Sequence, residues 1–181
     1  DPFTELEKVH HLQYFSFRST VLASSEQLPT TINYEIINAA ETSYAEAWED
    51  YTVFYTTCLD DPDSWRRKEG TQYCDGKLVW SHTHDERTSS GVYFAYFPTF
   101  SYSRHLNLLE QCGRYTSVFS LGQTLEGREL ECVQVGTGDN VGWIIHRQHP
   151  GEHMAEFFAE GLLTRLLGLD SNGDTDGLVR K

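Results

Sequence analysis

Between residues 12 and 100 the chain returns repeatedly to short runs of aromatic and β-branched residues: LQYFSFRSTVL, TTINYEIINAA, YTVFYTTCL, KLVWSHTH and GVYFAYF. Several alternate with period two, which sends successive side chains to opposite faces of a strand. The stretches SSEQLP, LDDPDSW and DERTSSG between them are rich in turn formers. No long helical pattern intervenes. Short strands at this spacing predict an antiparallel β-sandwich, and we assign residues 1–99 to a separate all-β domain.

The texture changes after Pro98. In SYSRHLNLLEQC the apolar positions Leu106, Leu109 and Cys112 fall on one helical face, with Ser103 a candidate N-cap and Gly113 a candidate stop. TSVFSLGQTLEGRELECVQVG then reads as two strands joined through Glu126-Gly127. Val141 to Ile145 is an apolar run predicted to be a buried strand, Pro150-Gly151 breaks it, and Glu152 to Leu167 has the composition of a helix. Met154, Phe157, Phe158, Leu162, Leu163, Leu166 and Leu167 cover more than one stripe of that helix, leaving Glu156, Glu160 and Arg165 a narrow wet face. Residues 100–181 thus read as the opening of an α/β domain, a mixed sheet with helices.

Where the predicted strand, turn and helix meet stand His149 and Glu152, a His-x-x-Glu pair. One imidazole and one carboxylate three residues apart at a helix start can reach a single cation, and zinc takes this donor set. A catalytic zinc site normally has three protein ligands and a water, so the pair is two-thirds of one. Spacing alone decides little, because His153 and Glu156 repeat it. The position at the carboxyl end of a predicted buried strand, where open α/β sheets place their ligands, favours the first pair.

The run WIIHRQHPGEHMAEFFAEGLLTRLL resembles the zinc-binding segment of metallocarboxypeptidases, and its HPGE form resembles their cytosolic carboxypeptidase branch. The amino-terminal half carries similar features in the family's order: Tyr14 to Arg18, Ile36 to Ala39, Ser64 to Arg67, and Val92 to Pro98. The resemblance implies a β-sandwich followed by a peptidase domain, with zinc held by His149 and Glu152. It also implies a third ligand, a His, together with a substrate-binding Arg and Asn and a general-base Glu, all later in the family's sequence than Lys181. The chain therefore corresponds to the front part of an enzyme that hydrolyses carboxy-terminal residues of peptides or proteins, acidic tails among the candidate substrates. By itself it is expected to be inactive. Arg147 matches an Arg that commonly precedes HPGE in this branch; its role is open.

A formal net charge of -13 disfavours nucleic acid and anionic membranes as partners, since both need a basic patch. No apolar run approaches a membrane span, and DPFTELEKVHH has neither the basic start nor the apolar centre of a signal peptide. Cys58, Cys74, Cys112 and Cys132 match no zinc finger or redox pair and read as free thiols of a cytoplasmic protein.

Four weaker constellations complete the reading. His82 and His84 share a strand face and are a plausible metal pair, or else an exposed polar strand end. The aromatics Tyr93, Phe94, Tyr96, Phe97 and Phe100 lack interleaved basic residues and read as core. His146, His149 and His153 form a three-His set only if a strand, a turn and a helix position converge. Asp170 to Gly177 imitates a calcium loop but lacks its Gly and Glu, with Thr175 and Lys181 in their places. The alternative to an enzyme is a β-sandwich interaction module with a vestigial metal motif.

Overall fold

The computed structural model describes residues 12–21, 28–59, 61–88 and 91–169. The chain divides into two compact units between Thr99 and Phe100. The first is built from β1 (Ser16–Ser19), β2 (Thr30–Ile36), β3 (Phe54–Thr56), β4 (Arg66–Arg67), β5 (Gln72–Cys74), β6 (Lys77–His84) and β7 (Val92–Ala95). Their pairings are antiparallel throughout, in the orders β1-β7-β3-β4 and β2-β6-β5.

The two sheets face each other across an aromatic core. On β6 the period-two pattern buries Leu78, Trp80, His82 and His84 on one face. Trp80 pairs in register with Tyr34 of β2 and stacks on it, ring centroids 5.4 Å apart. From the opposite sheet, Phe94 of β7 approaches Tyr34 at 4.9 Å and Trp80 at 5.6 Å. Such offset and tilted pairs add a specific term to the burial of large apolar area. Trp48, on a short 3-10 turn (Ala45–Trp48), closes one end of the core and donates its indole N–H to the Ala39 carbonyl at 3.0 Å.

The sequence reading placed β1, β2, β3, β6 and β7 but not β4 or β5. The missed hairpin has a recognisable cause: Asp75 and Gly76 join β5 to β6 with φ of 50° and 74°. Asp-Gly with both residues left-handed is the preferred two-residue hairpin turn. The strand before it, Gln72–Cys74, is too short to show alternation.

The second unit begins with α1 (Tyr102–Gly113). Its N-cap is Ser101, whose side chain accepts from Arg104 N at 3.2 Å, not Ser103, which lies within the first turn. A hairpin of β8 (Ser117–Gln123) and β9 (Glu129–Gln134) follows, and α2 (His153–Leu167) ends at Gly168 in the left-handed conformation that closes helix C-termini. Arg104 of α1 grips Glu160 of α2 with both ends of its guanidinium, Nε to Oε1 at 2.9 Å and Nη2 to Oε2.

Three expectations are not met here. Val141 to Ile145 is not a strand: its residues form no ladder, and Val141, Trp143, Ile144 and Ile145 are 77%, 70%, 59% and 73% exposed. An extended run becomes a strand only when a neighbour takes its N–H and C=O groups, and none among the described residues does. The only sheet among the described residues of this unit is the two-stranded hairpin, so the mixed sheet expected for 100–181 is not observed. Glu156, expected on the wet face of α2, is instead buried. The calcium-like segment Asp170 to Gly177 lies outside the described residues.

Candidate metal centre

His149 and Glu152 are the two ends of one turn. The Glu152 N–H bonds the His149 carbonyl at 3.1 Å, which makes Pro150 and Gly151 the central residues of a tight reversal. Proline presets the φ that the first central position requires. Glu152 then caps the amino end of α2, with its carbonyl accepting from Ala155 N at 3.0 Å.

This geometry brings the two side chains together. His149 Nδ1 lies 2.9 Å from Glu152 Oε1, and the His149 backbone N–H reaches Oε2 at 3.3 Å. His149 holds the Glu152 carboxyl below its usual pKa by hydrogen bonding to it. The pair is solvent-accessible, with side chains 75% and 44% exposed. An imidazole nitrogen and a carboxylate oxygen held this close, here hydrogen-bonded to each other, are donor types that suit zinc. These are the two residues expected from the sequence to be zinc ligands, where an open site takes three. No third His, Cys, Asp or Glu joins them among the described residues.

The second His-x-x-Glu pair does different work. His153 turns inward, its Nδ1 accepting from Phe100 N at 2.9 Å. Burial, reinforced by the Arg147 guanidinium, lowers its pKa to about 4. Glu156 turns from His153 toward Arg147, whose Nη1 is 3.7 Å from Oε1, and toward His105 of α1, whose Nδ1 is 3.6 Å from Oε2. Hydrogen bonding with His105 first, and then the charges of His105, His146 and Arg147, hold the Glu156 carboxyl below its usual pKa against the opposing effect of burial, while Glu156 and then Glu131 raise that of His105. His105 Nε2 stands 3.4 Å from Glu131 Oε2 on β9. Hence His146, His149 and His153 form no common site among the described residues.

His82 and His84 share a strand face, but the inner one. The reading of an exposed strand end is wrong, because β6 carries its alternation through to His84 and buries both rings. His84 Nε2 meets the Tyr34 hydroxyl at 2.9 Å, and that hydroxyl also meets Ser19 Oγ at 2.7 Å. The expected core role holds for Phe94 and Phe100, which are buried.

Sequence reasoning missed the His105–Glu156–Arg147 cluster. A signal was present: Glu156 lies on the α2 stripe of Ala159 and Leu163, at i+3 and i+7, where a carboxylate needs an internal partner.

Residues 3–97 match the model of the cytosolic carboxypeptidase N-terminal domain. The chain belongs to the cytosolic carboxypeptidase family. A metallo-carboxypeptidase from Burkholderia cenocepacia is 33% identical, with a TM-score of 0.75 over 90% of this chain and 42% of its own. A metallo-carboxypeptidase from Pseudomonas aeruginosa, solved in complex with (2-guanidinoethylmercapto)succinic acid, is 32% identical, with a TM-score of 0.73 over 91% of this chain and 42% of its own. An uncharacterized protein of Zymomonas mobilis is 34% identical over 171 residues, 93% of this chain and 41% of its own length. The chain therefore spans about two fifths of each of these cytosolic carboxypeptidase relatives. Both of these solved relatives are named as metallo-enzymes.

Proposed function

We propose that this chain is the amino-terminal part of a zinc-dependent metallocarboxypeptidase that removes carboxy-terminal residues from peptides or proteins, acidic tails among them. The observation that supports it is the convergence of His149 Nδ1 and Glu152 Oε1 to 2.9 Å at the start of α2, in a chain similar over nine tenths of its length to metallo-carboxypeptidases. His149 and Glu152 would hold the zinc. When bound, zinc supplies Lewis acidity, polarising a scissile carbonyl and lowering the pKa of a coordinated water. The chain's own contribution is orientation: the turn fixes both donors on one side of the α2 amino end and leaves them open to solvent, where a peptide end can arrive. A third ligand and a general base are to be sought outside residues 1–181, and the chain by itself is expected to be inactive.

The four cysteines are free thiols, and no helix among the described residues is long and apolar enough to cross a membrane. Both features accord with a cytoplasmic enzyme. Native mass spectrometry of the full-length protein, paired with release of carboxy-terminal residues from a peptide set, tests the reading. One bound zinc and chelator-sensitive trimming are expected, with inhibition by a small dicarboxylic acid of the kind bound by the Pseudomonas relative. A metal-free protein indifferent to chelators would sink the reading and leave the β-sandwich as the seat of function.

A further inference from the structure

Arg147 has a left-handed backbone, with φ of 47°, in the loop that leads into the metal turn. Long L-residues rarely occupy this region, so their surroundings must hold them there. Here the holding contacts are unusually local. The guanidinium folds back on its own loop and donates to the Pro150 carbonyl twice, from Nη2 at 3.0 Å and from Nε at 3.3 Å. Pro150 is a central residue of the turn whose ends are His149 and Glu152.

The other side of the guanidinium faces a fixed point. Glu156 is buried one helical turn beyond Glu152, and a carboxylate withdrawn from water needs a positive partner. Arg147 Nη1, 3.7 Å from Glu156 Oε1, is one such partner, and His105 on the other oxygen is the second. α2 is itself clamped to α1 through Arg104 and Glu160. A path of contacts thus runs from a braced helix through Glu156 and Arg147 to the peptide between the two candidate ligands.

We propose that Arg147, anchored on buried Glu156, is a positioning residue that sets the turn presenting His149 and Glu152 to a divalent metal. The proposal rests on the metallocarboxypeptidase reading and assigns this Arg a task within it. Arg suits the task because its planar fork serves a carbonyl on one edge and a carboxylate on the other; a lysine ammonium is a single point that must choose between them.

The test uses the full-length protein and reads metal binding, not turnover. Zinc affinity is measured by competition with a chromophoric chelator, the visible spectrum is recorded with cobalt(II), and melting of the metal-free form is followed in parallel. Arg147→Met and Glu156→Gln are each expected to weaken zinc binding about tenfold or more, the scale on which outer hydrogen-bond partners act on metal sites. Both should also alter the cobalt spectrum, and Arg147→Lys should recover only part of the loss. Glu156→Gln is isosteric and decides the matter if Arg147→Met does not fold. Zinc affinity within about twofold of the parent in these variants, while His149→Ala loses zinc, would overturn the positioning role and leave the metal reading intact. Weaker binding with an unchanged cobalt spectrum and an equally lowered melting temperature would also overturn it, as the mark of a merely structural pair. Undiminished zinc binding by His149→Ala would overturn the metal reading and the proposal together.

Discussion

His82 and His84 meet edge to face inside the β-sandwich, with ring centroids 5.0 Å apart. His84 has hydrogen-bond partners at both nitrogens, the Tyr34 hydroxyl and the Thr88 carbonyl, whereas both His82 nitrogens are buried without one among the described residues. Burial, then the charges of His84 and Lys68, push the His82 pKa from 6.5 down to about 4. The unfolded chain therefore takes up a proton that the folded one refuses. The stabilisation from a neutral His82 is complete above pH 6.5 and is lost as the pH falls from there toward about 4. Urea denaturation at several pH values should show this slope, and His82→Phe should reduce it, leaving the share of His153, whose pKa burial also lowers to about 4. An unchanged slope in the variant would remove His82 as its source.

Phe94 has no exposed surface, and its ring meets Phe17, Tyr34, Trp80 and His82 at centroid distances of 5.5, 4.9, 5.6 and 5.6 Å. Phe94→Ala is expected to cost about 3–5 kcal/mol of stability, since the aromatic walls around it cannot all collapse into the void. Leu125→Ala, at a hairpin tip open to solvent, should stay within about 0.5 kcal/mol. Denaturant midpoints at neutral pH measure both.

Arg104 both chelates Glu160 and lies over Phe100 and Phe157, 4.8 Å from each ring centroid. The pair is about one quarter exposed, so solvent screens it, but its two-pronged geometry is favourable. A double-mutant cycle of Arg104→Ala with Glu160→Gln should give a coupling of roughly 1 kcal/mol that weakens in high salt. Zero coupling would mean that Arg104 acts through its aromatic packing alone.

His149→Ala and Glu152→Ala should each lower zinc affinity of the full-length protein by more than the roughly 10- to 100-fold cost of losing an outer hydrogen-bond partner. Melting of the metal-free form should change little, because the His149 side chain is mostly in solvent and that of Glu152 is 44% exposed. Equilibrium dialysis against buffered zinc reads the first effect and calorimetry the second. Retained affinity in either variant would remove that residue from the ligand set.

Of the four tryptophans, Trp48, Trp65 and Trp80 are buried and Trp143 is 70% exposed. Acrylamide quenching of the 181-residue chain should resolve one accessible emitter, red-shifted relative to the rest, and Trp143→Phe should abolish that component. Failure to find it would indicate that the apolar run around Trp143 is covered.

The β-half was legible because β2 and β6 alternate long enough for the inward set to be read from their own residues. β4 and β5 were not, since strands of two and three residues carry no period, and their pairing is decided by neighbours distant in the chain. The pairing of His149 with Glu152 was legible for a local reason, as Pro150 and Gly151 set it. Val141 to Ile145 misled because apolar composition states only that a segment needs a cover, and whether the cover is present is a tertiary fact. Glu156 misled in the opposite sense: helical position exposes or buries a carboxylate according to what stands opposite, and Arg147 and His105 reach it from other elements.

The turn closed by the His149 carbonyl and the Glu152 amide has a kinetic meaning. Its two donors are three residues apart, so bringing them face to face requires no search through chain space and no prior sheet. Loop closure over so short a span is complete on the timescale of helix nucleation. The pairing of His149 with Glu152 is therefore among the earliest features such a chain can acquire during synthesis. A third ligand of the kind proposed above, if drawn from far along a sequence, would pay an entropic cost that grows only with the logarithm of the intervening length.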